Sequence, residues 1–205
     1  MRRRASQGRP PGERGQAMVE FALIIPILMF VFMGVMELAL MFNAFVGVNR
    51  ASQNGAHLAS VLSNQPGADC FILTRLESDV SPPMSPNQVK WVSIDYTSMA
   101  GNYPYLREKW DRTGSTECTL PDGTTTTVPY TLAAGSDYPS DQRCSVLAGC
   151  PGLDLPRSTV DNIGVSVNYE HYWATPLNAL YGFFAGGDNK WTFTQRNIFR
   201  LEPTL

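Results

Sequence analysis

The chain has 205 residues and is close to neutral, with 16 Lys and Arg against 18 Asp and Glu, which is enough for one modest domain with extensions. The charge is unevenly spread: Arg2, Arg3, Arg4, Arg9 and Arg14 crowd the first 14 residues against the single acid Glu13, whereas from Arg50 onward 11 basic residues face 15 acidic ones. The basic head has no interleaved aromatics and no second basic cluster follows it, which excludes nucleic acid as a partner.

The head, "MRRRASQGRPPGERG", is rich in Gly, Pro and Arg and is expected to be disordered. From Ala17 to Val48 the residues are almost all apolar, broken by Glu20, Glu37 and Asn43. A helix needs roughly 20 such residues to cross a bilayer core. The run exceeds the roughly 7 to 15 residues of a signal-peptide core, and no small-x-small cleavage site follows it. The positive-inside rule then places the N-terminus in the cytoplasm and the residues beyond about 50 outside the cytoplasmic membrane.

Nothing stops the helix at the membrane surface, because "VNRASQNGAHLASVLSN" keeps the helical period. Ala51, Gly55 and Ala59 form a small-residue stripe that permits close approach of another helix or a sheet. The reading is a basic leader over 1–15, one helix over 16–63 that spans the membrane over about 21–45, and an outer domain over 64–205. Pro26 adds at most a kink, and "NQPG" at 64–67 ends the helix.

Beyond it, "CFILTRLESDV" has helical spacing and predicts a short second helix. "QVKWVSIDYTS" alternates as a strand, and "ECTLPDGTTTTVPYTL" reads as a hairpin turned by Pro-Asp-Gly. Residues 131–158 read as an irregular loop. "NIGVSVNYEHYW" alternates again, "TPLNALYGFF" predicts a short helix capped by Thr175, and "KWTFTQRNIFRLE" is a closing strand. The fold class is therefore α+β, a long N-terminal transmembrane helix continuing into a small extracytoplasmic domain with an antiparallel sheet.

Cys70, Cys118, Cys144 and Cys150 all lie in the part expected outside, where an even count favours disulfides, with three pairings open. Cys144–Cys150 closing "CSVLAGC" and Cys70–Cys118 tying a helix to a hairpin are the preferred pair. With no Cys-x-x-Cys and only His57 and His171 as histidines, no metal is expected, and both histidines read as surface or packing residues. The aromatic set Trp91, Tyr169, Tyr172, Trp173, Phe183, Phe184, Trp191, Phe193 and Phe199 reads as sheet core, with "HYW" and "LYGFF" alternatively a membrane-proximal belt. No nucleophile motif, zinc motif or phosphate loop is present. The chain is not expected to be an enzyme or to need a cofactor.

Glu20 is the anomaly. A carboxylate in hydrocarbon costs about 2.5–3.5 kcal/mol on insertion scales and asks for a positive partner. Arg14 snorkelling to the headgroups is one. The other is the ammonium group that a cut after Gly15 would create on Gln16, with Glu20 then the fifth residue. Glu37 lies 17 positions beyond Glu20, about 25 Å along a helix, and is expected to be solvated or snorkelling at the outer boundary.

Gly-x-x-x-x-Glu followed by an aromatic resembles the prepilin peptidase site of type IV-like pilins. The wider pattern, at Arg14, Gly15, Ala17, Val19, Glu20, Phe21, Ala22, Pro26, Gly34 and Glu37, resembles the TadE-like family of tight-adherence (Tad/Flp) pilus assembly proteins. The resemblance covers roughly residues 13–62. It implies a pseudopilin or minor pilin with Gly15–Gln16 as the scissile bond and Glu20 as the assembly residue. Phe21 stands where major Flp pilins usually carry tyrosine, which together with the large outer domain favours the TadE-like branch. The implied partners are a Tad-type prepilin peptidase, other pilins or pseudopilins through the helix, an inner-membrane assembly platform and membrane lipid. The alternative is an uncut single-pass protein whose outer domain binds a partner or the cell envelope.

Overall fold

A computed structural model describes residues 13–62, 64–80, 82, 84–97, 106–144, 161–176 and 190–201. The arginine-rich head before Glu13, the helix expected over 175–184 beyond Pro176, and residues 145–158 of the expected loop, with Cys150 among them, lie outside the described residues. The chain is α+β, a long apolar helix followed by a small antiparallel-sheet domain. It divides into two compact units, Met1–Ala39 with Trp173–Gly187, and Leu40–Tyr172 with Asp188–Leu205.

Helix α1 runs Glu13–Leu62 and passes through Pro26 without a break. In the first unit Ala, Leu and Met favour it, because their side chains lose little freedom in a helix.

The second unit holds the rest of α1, helix α2 (Ala68–Asp79) and strands β1 (Val89–Thr97), β2 (Leu106–Asp111), β3 (Thr116–Thr119), β4 (Thr125–Val128), β5 (Thr131–Leu132), β6 (Asn162–Tyr172) and β7 (Lys190–Arg200). Five of these form one sheet in the order β5-β2-β1-β6-β7, and β3 pairs β4 in a separate hairpin. The described pairings are all antiparallel.

Period-two alternation gives each strand two unlike faces. On one, Val92 and Ile94 stand beside Val167 and Val165, and with Ile163 and Tyr169 they are fully buried. Val48, Ala51, Ala56 and Ala59 of α1 and Ile72, Leu73 and Leu76 of α2 cover them. The small-residue stripe makes this contact. A Cβ on Gly55 would lie 3.2 Å from Val165 Cγ1 and 3.4 Å from Leu76 Cδ2. Ser52 Oγ donates to the Val165 carbonyl at 2.8 Å, and Asn197 Nδ2 donates to the Asn49 carbonyl at 3.2 Å and to Ser52 Oγ at 3.1 Å.

The other face is polar. Asp95 is fully buried there, 3.0 Å from Arg107 Nε and 3.6 Å from Arg196 Nη2. Burial pushes its carboxyl up, against the pull of the two guanidiniums.

Gly67 opens α2 at φ 79°, where a side chain would collide with the Thr119 carbonyl; only glycine fits both demands. A disulfide joins Cys70 of α2 to Cys118 of β3, with Cα atoms 6.1 Å apart. The hairpin turn uses the expected chemistry: Asp122 Oδ1 accepts from Thr124 N at 2.9 Å, and Gly123 sits at φ 85°. Cys144 is also disulfide-bonded.

Two strands depart from the sequence reading. β2, "LREKWD", has no counterpart in it, and β5 falls in a stretch expected to be irregular. β2 carries charge at Arg107, Glu108, Lys109 and Asp111, so its hydrophobic period is hidden. Its buried side faces Arg143, which is fully buried. Arg143 Nη2 pairs with Asp69 of α2 and lies 3.5 Å from Glu108 Oε2 and from the Tyr138 carbonyl. Asp161 continues the network by accepting from Tyr138 Oη and Cys144 N, each at 2.9 Å.

One guanidinium thus faces two carboxylates. Asp69 holds the closer position, while burial and the charge of Asp69 push the Glu108 carboxyl up to about 8. The folded chain therefore keeps a proton that the unfolded chain releases from about 4.5 upward. Stability contributed here falls as pH rises from about 4.5 to 8 and is level beyond. Glu108→Gln should remove that share of the decline in urea titrations of the detergent-solubilised chain. Arg143→Met strands Asp69 without its cation and should cost about 3–5 kcal/mol in the same measurement.

Candidate functional site

The site to which the sequence points is the first half of α1. The segment Gly15–Leu62 is long and apolar enough to cross a membrane. Met18, Phe21, Leu23, Ile27, Phe32 and Leu38 each leave more than 60% of their surface exposed, and between Gly15 and Phe32 every residue is exposed. A helix apolar on all sides has no solvent face and requires lipid or protein around it.

Glu20 lies exposed within this surface. Its carboxylate accepts from Gln16 Nε2 at 3.2 Å, one turn earlier. Phe21 is exposed beside it. Gly15 is also exposed, and a Cβ there would meet nothing within 4 Å. Packing inside the chain does not require a glycine at that position, although glycine weakens a helix by about 1 kcal/mol relative to alanine.

Glu37 behaves differently from the expectation of a solvated or snorkelling acid. It is buried, and its carboxylate accepts from the backbone N–H of Ala174, at 3.1 and 3.2 Å, and of Thr175, at 3.0 Å. Two successive amides that would lack partners in an apolar setting are thereby satisfied. The partners lie 137 and 138 positions away, so no local pattern announces them. Glu20 and Glu37 of α1 are accordingly of opposite circumstance, one exposed and one held by its own chain.

The aromatic set also divides. Tyr169 is core, with Phe193 and Phe199 packed against that core, but Tyr172 and Trp191 are exposed. Trp91 lies under Lys109, whose Nζ is 5.5 Å from the ring centre. His57 meets Phe199 edge-on at 5.9 Å. Phe183 and Phe184 lie outside the described residues. A cavity of about 300 Å³ between the α1–α2 connection and the hairpin is lined by Gln65, Pro66, Gly67, Thr119, Leu120, Pro121 and Gly123, none of them titratable. Among the described residues no three His, Cys, Asp or Glu side chains gather as metal ligands.

Residues 15–57 match the family model described as TadE-like protein. The match begins at Gly15, covers Glu20 and Glu37, and ends within the part of α1 that packs on the sheet. The resemblance read from the sequence is borne out over that segment. No curated protein and no solved structure matches the chain.

Removing the Glu37 carboxylate should leave the Ala174 and Thr175 amides unsatisfied, at about 1–3 kcal/mol. In Glu37→Ala, backbone hydrogen exchange at these two amides should rise well above wild type, while amides of β1 and β6 stay protected.

Proposed function

With a TadE-like helix as the premise, we propose that the chain is a pseudopilin or minor pilin that helps assemble a tight-adherence pilus, cut after Gly15 and inserted through α1. The family ties it to the Tad pilus as a pilin-like, structural protein held by an apolar helix. The observation that carries the finer reading is Glu20: an exposed carboxylate on a helix that is otherwise apolar, hydrogen-bonded to the side chain of the residue that a cut would make the first.

The arginines of the head hold the N-terminus in the cytoplasm. A Tad-type prepilin peptidase cuts the Gly15–Gln16 bond, where the bare glycine lets a second backbone approach. The new ammonium group on Gln16 and the Glu20 carboxylate lie one helical turn apart along the chain. A neighbouring subunit's terminus answers the carboxylate as helices bundle, replacing an unpaired charge in the apolar layer by an ion pair. An inner-membrane platform supplies the neighbours, and the lipid-facing side chains around Phe21 become helix–helix contacts. The sheet domain then stands outside the cytoplasm, where its disulfides are stable.

Mass spectrometry of the chain extracted from membranes of a host with the matching peptidase should give a mature form beginning at Gln16. An intact Met1 end would overturn the processing step and leave an uncut membrane protein. Glu20→Ala should be processed as wild type and lose pilus assembly to background. Normal pili in that variant would remove the carboxylate from the mechanism.

A further inference from the structure

The two sides of the five-stranded sheet end differently. Beyond β2 the chain answers the outward backbone group by group. Asp111 pairs with Thr131 of β5, the Lys109 carbonyl accepts from Ala133 N at 2.8 Å, and the Arg107 carbonyl accepts from Asp137 N at 3.0 Å. The outward amides donate to side chains, Arg107 N to Asp137 Oδ1 at 2.7 Å and Lys109 N to Ser136 Oγ at 3.2 Å.

β7, on the other side, pairs with β6 along all of its 11 residues without a register shift. The bond from Leu201 N to the Asp161 carbonyl continues that register, and an antiparallel ladder bonds every second residue pair. The odd-numbered residues of β7 therefore bond to β6. The N–H and C=O groups of Thr192, Thr194, Arg196 and Ile198 point away from it. Among the described residues no backbone group meets them. Thr192, Thr194 and Arg200 are exposed, and no residue of β7 is buried, whereas nine of the 11 in β6 are.

Sheet edges are commonly blunted by a proline, a bulge or charge. β7 has neither proline nor bulge, and its guard is charge: Arg196 and Arg200 stand on the polar face of a strand that contains no acid. Arg196 Nη2 lies 3.6 Å from Asp95, a carboxylate already shared with Arg107. Arg200 is exposed and in no ion pair among the described residues. A second β7 laid alongside would bring two acid-free strands together, and like charges across a ladder are destabilising. The opposite side of the sheet, already satisfied, offers a second copy no edge to dock. A strand of opposite charge meets neither obstacle. On the face turned to α1, the same strand presents Trp191, 49% exposed, with Phe193 and Phe199 partly open.

We propose that the outer edge of β7 takes up an extended segment of another protein, acidic at every second residue and apolar between, as a sixth strand of the sheet. Main-chain bonds to Thr192, Thr194, Arg196 and Ile198 hold it. Its carboxylates face Arg196 and Arg200, and its apolar side chains line up with Trp191, Phe193 and Phe199. The inference concerns the sheet alone and stands whether or not the chain is cut after Gly15.

The probe is a short fluorescein-labelled peptide of alternating glutamate and valine, titrated against the detergent-solubilised full chain and followed by anisotropy. It should bind saturably, and a lysine–valine counterpart should not. Thr194→Pro deletes one outward N–H and leaves the bonds to β6 in place, so it should weaken binding about tenfold. Arg200→Glu should weaken the glutamate peptide and favour the lysine one. Without peptide, the amides of Thr194, Arg196 and Ile198 should exchange fast and those of Phe193, Gln195 and Asn197 slowly. Peptide should slow the first three, and slow exchange at the other three in each variant shows that the sheet is intact. No saturable binding of the glutamate peptide, or binding that Arg200→Glu leaves unchanged, overturns the inference. Slow exchange at Thr194, Arg196 and Ile198 without peptide overturns it too. If independent of protein concentration, that protection assigns the edge to the chain itself, and if it grows with concentration, to a second copy.

Discussion

Helix α1 approaches the sheet to the distance at which a single added methyl group at Gly55 would press on Val165 and Leu76 together. That separation is set by Ala51, Ser52, Gly55, Ala56 and Ala59, and it governs what surrounds it. It brings Ser52 Oγ to the Val165 carbonyl and lets Asn197 reach across from β7 to the helix backbone. It also leaves room for α2 beside α1 over the same sheet face, since Leu76 uses the space that Gly55 vacates. A larger residue here would lift both helices from the β-branched side chains they cover.

The same helix solves two different solvation problems. Up to Phe32 every residue from Gly15 onward is exposed, and the surface offers no polar side; from Ala44 onward small residues turn to the sheet while Gln53, Asn54 and His57 face water. The carboxylates follow this division. Glu37, where the chain offers two amides, is satisfied internally. Glu20, where it offers a neighbouring amide side chain, leaves most of its hydrogen-bonding capacity unused.

Much of this was legible in the residues. The uninterrupted apolar run, the Ala-Gly-Ala stripe and the alternation of β1, β6 and β7 each carry a period that matches one element. β2 was not legible, because charge on both faces of "LREKWD" mimics a solvated segment, and the inward Glu108 makes sense only once Arg143 is placed beside it. Arg143 itself has no local signature, and neither does the Glu37 cap. Trp191 kept the alternation of a core strand, yet it stands past the residues that α1 covers, whereas Tyr172 falls on the opposite face of the sheet. Period reveals which face a side chain takes and is silent on how far the covering layer extends. Of the site, Gly15 and Glu20 were visible because each is costly where it stands.

The sheet order has a temporal side. β1 sits in the middle, but its neighbour β6 begins only at Asn162, and β7 closes the edge with Leu201 N bonded to the Asp161 carbonyl. Non-local pairings of this kind form late and slowly. As the chain emerges from the N-terminus onward, the small-residue face of α1 and the apolar face of β1 must wait uncovered for most of its length. During that interval the nascent domain exposes a helix stripe suited to any close-packing neighbour. Its first-made surface is thus open to wrong partners until its last-made strands arrive.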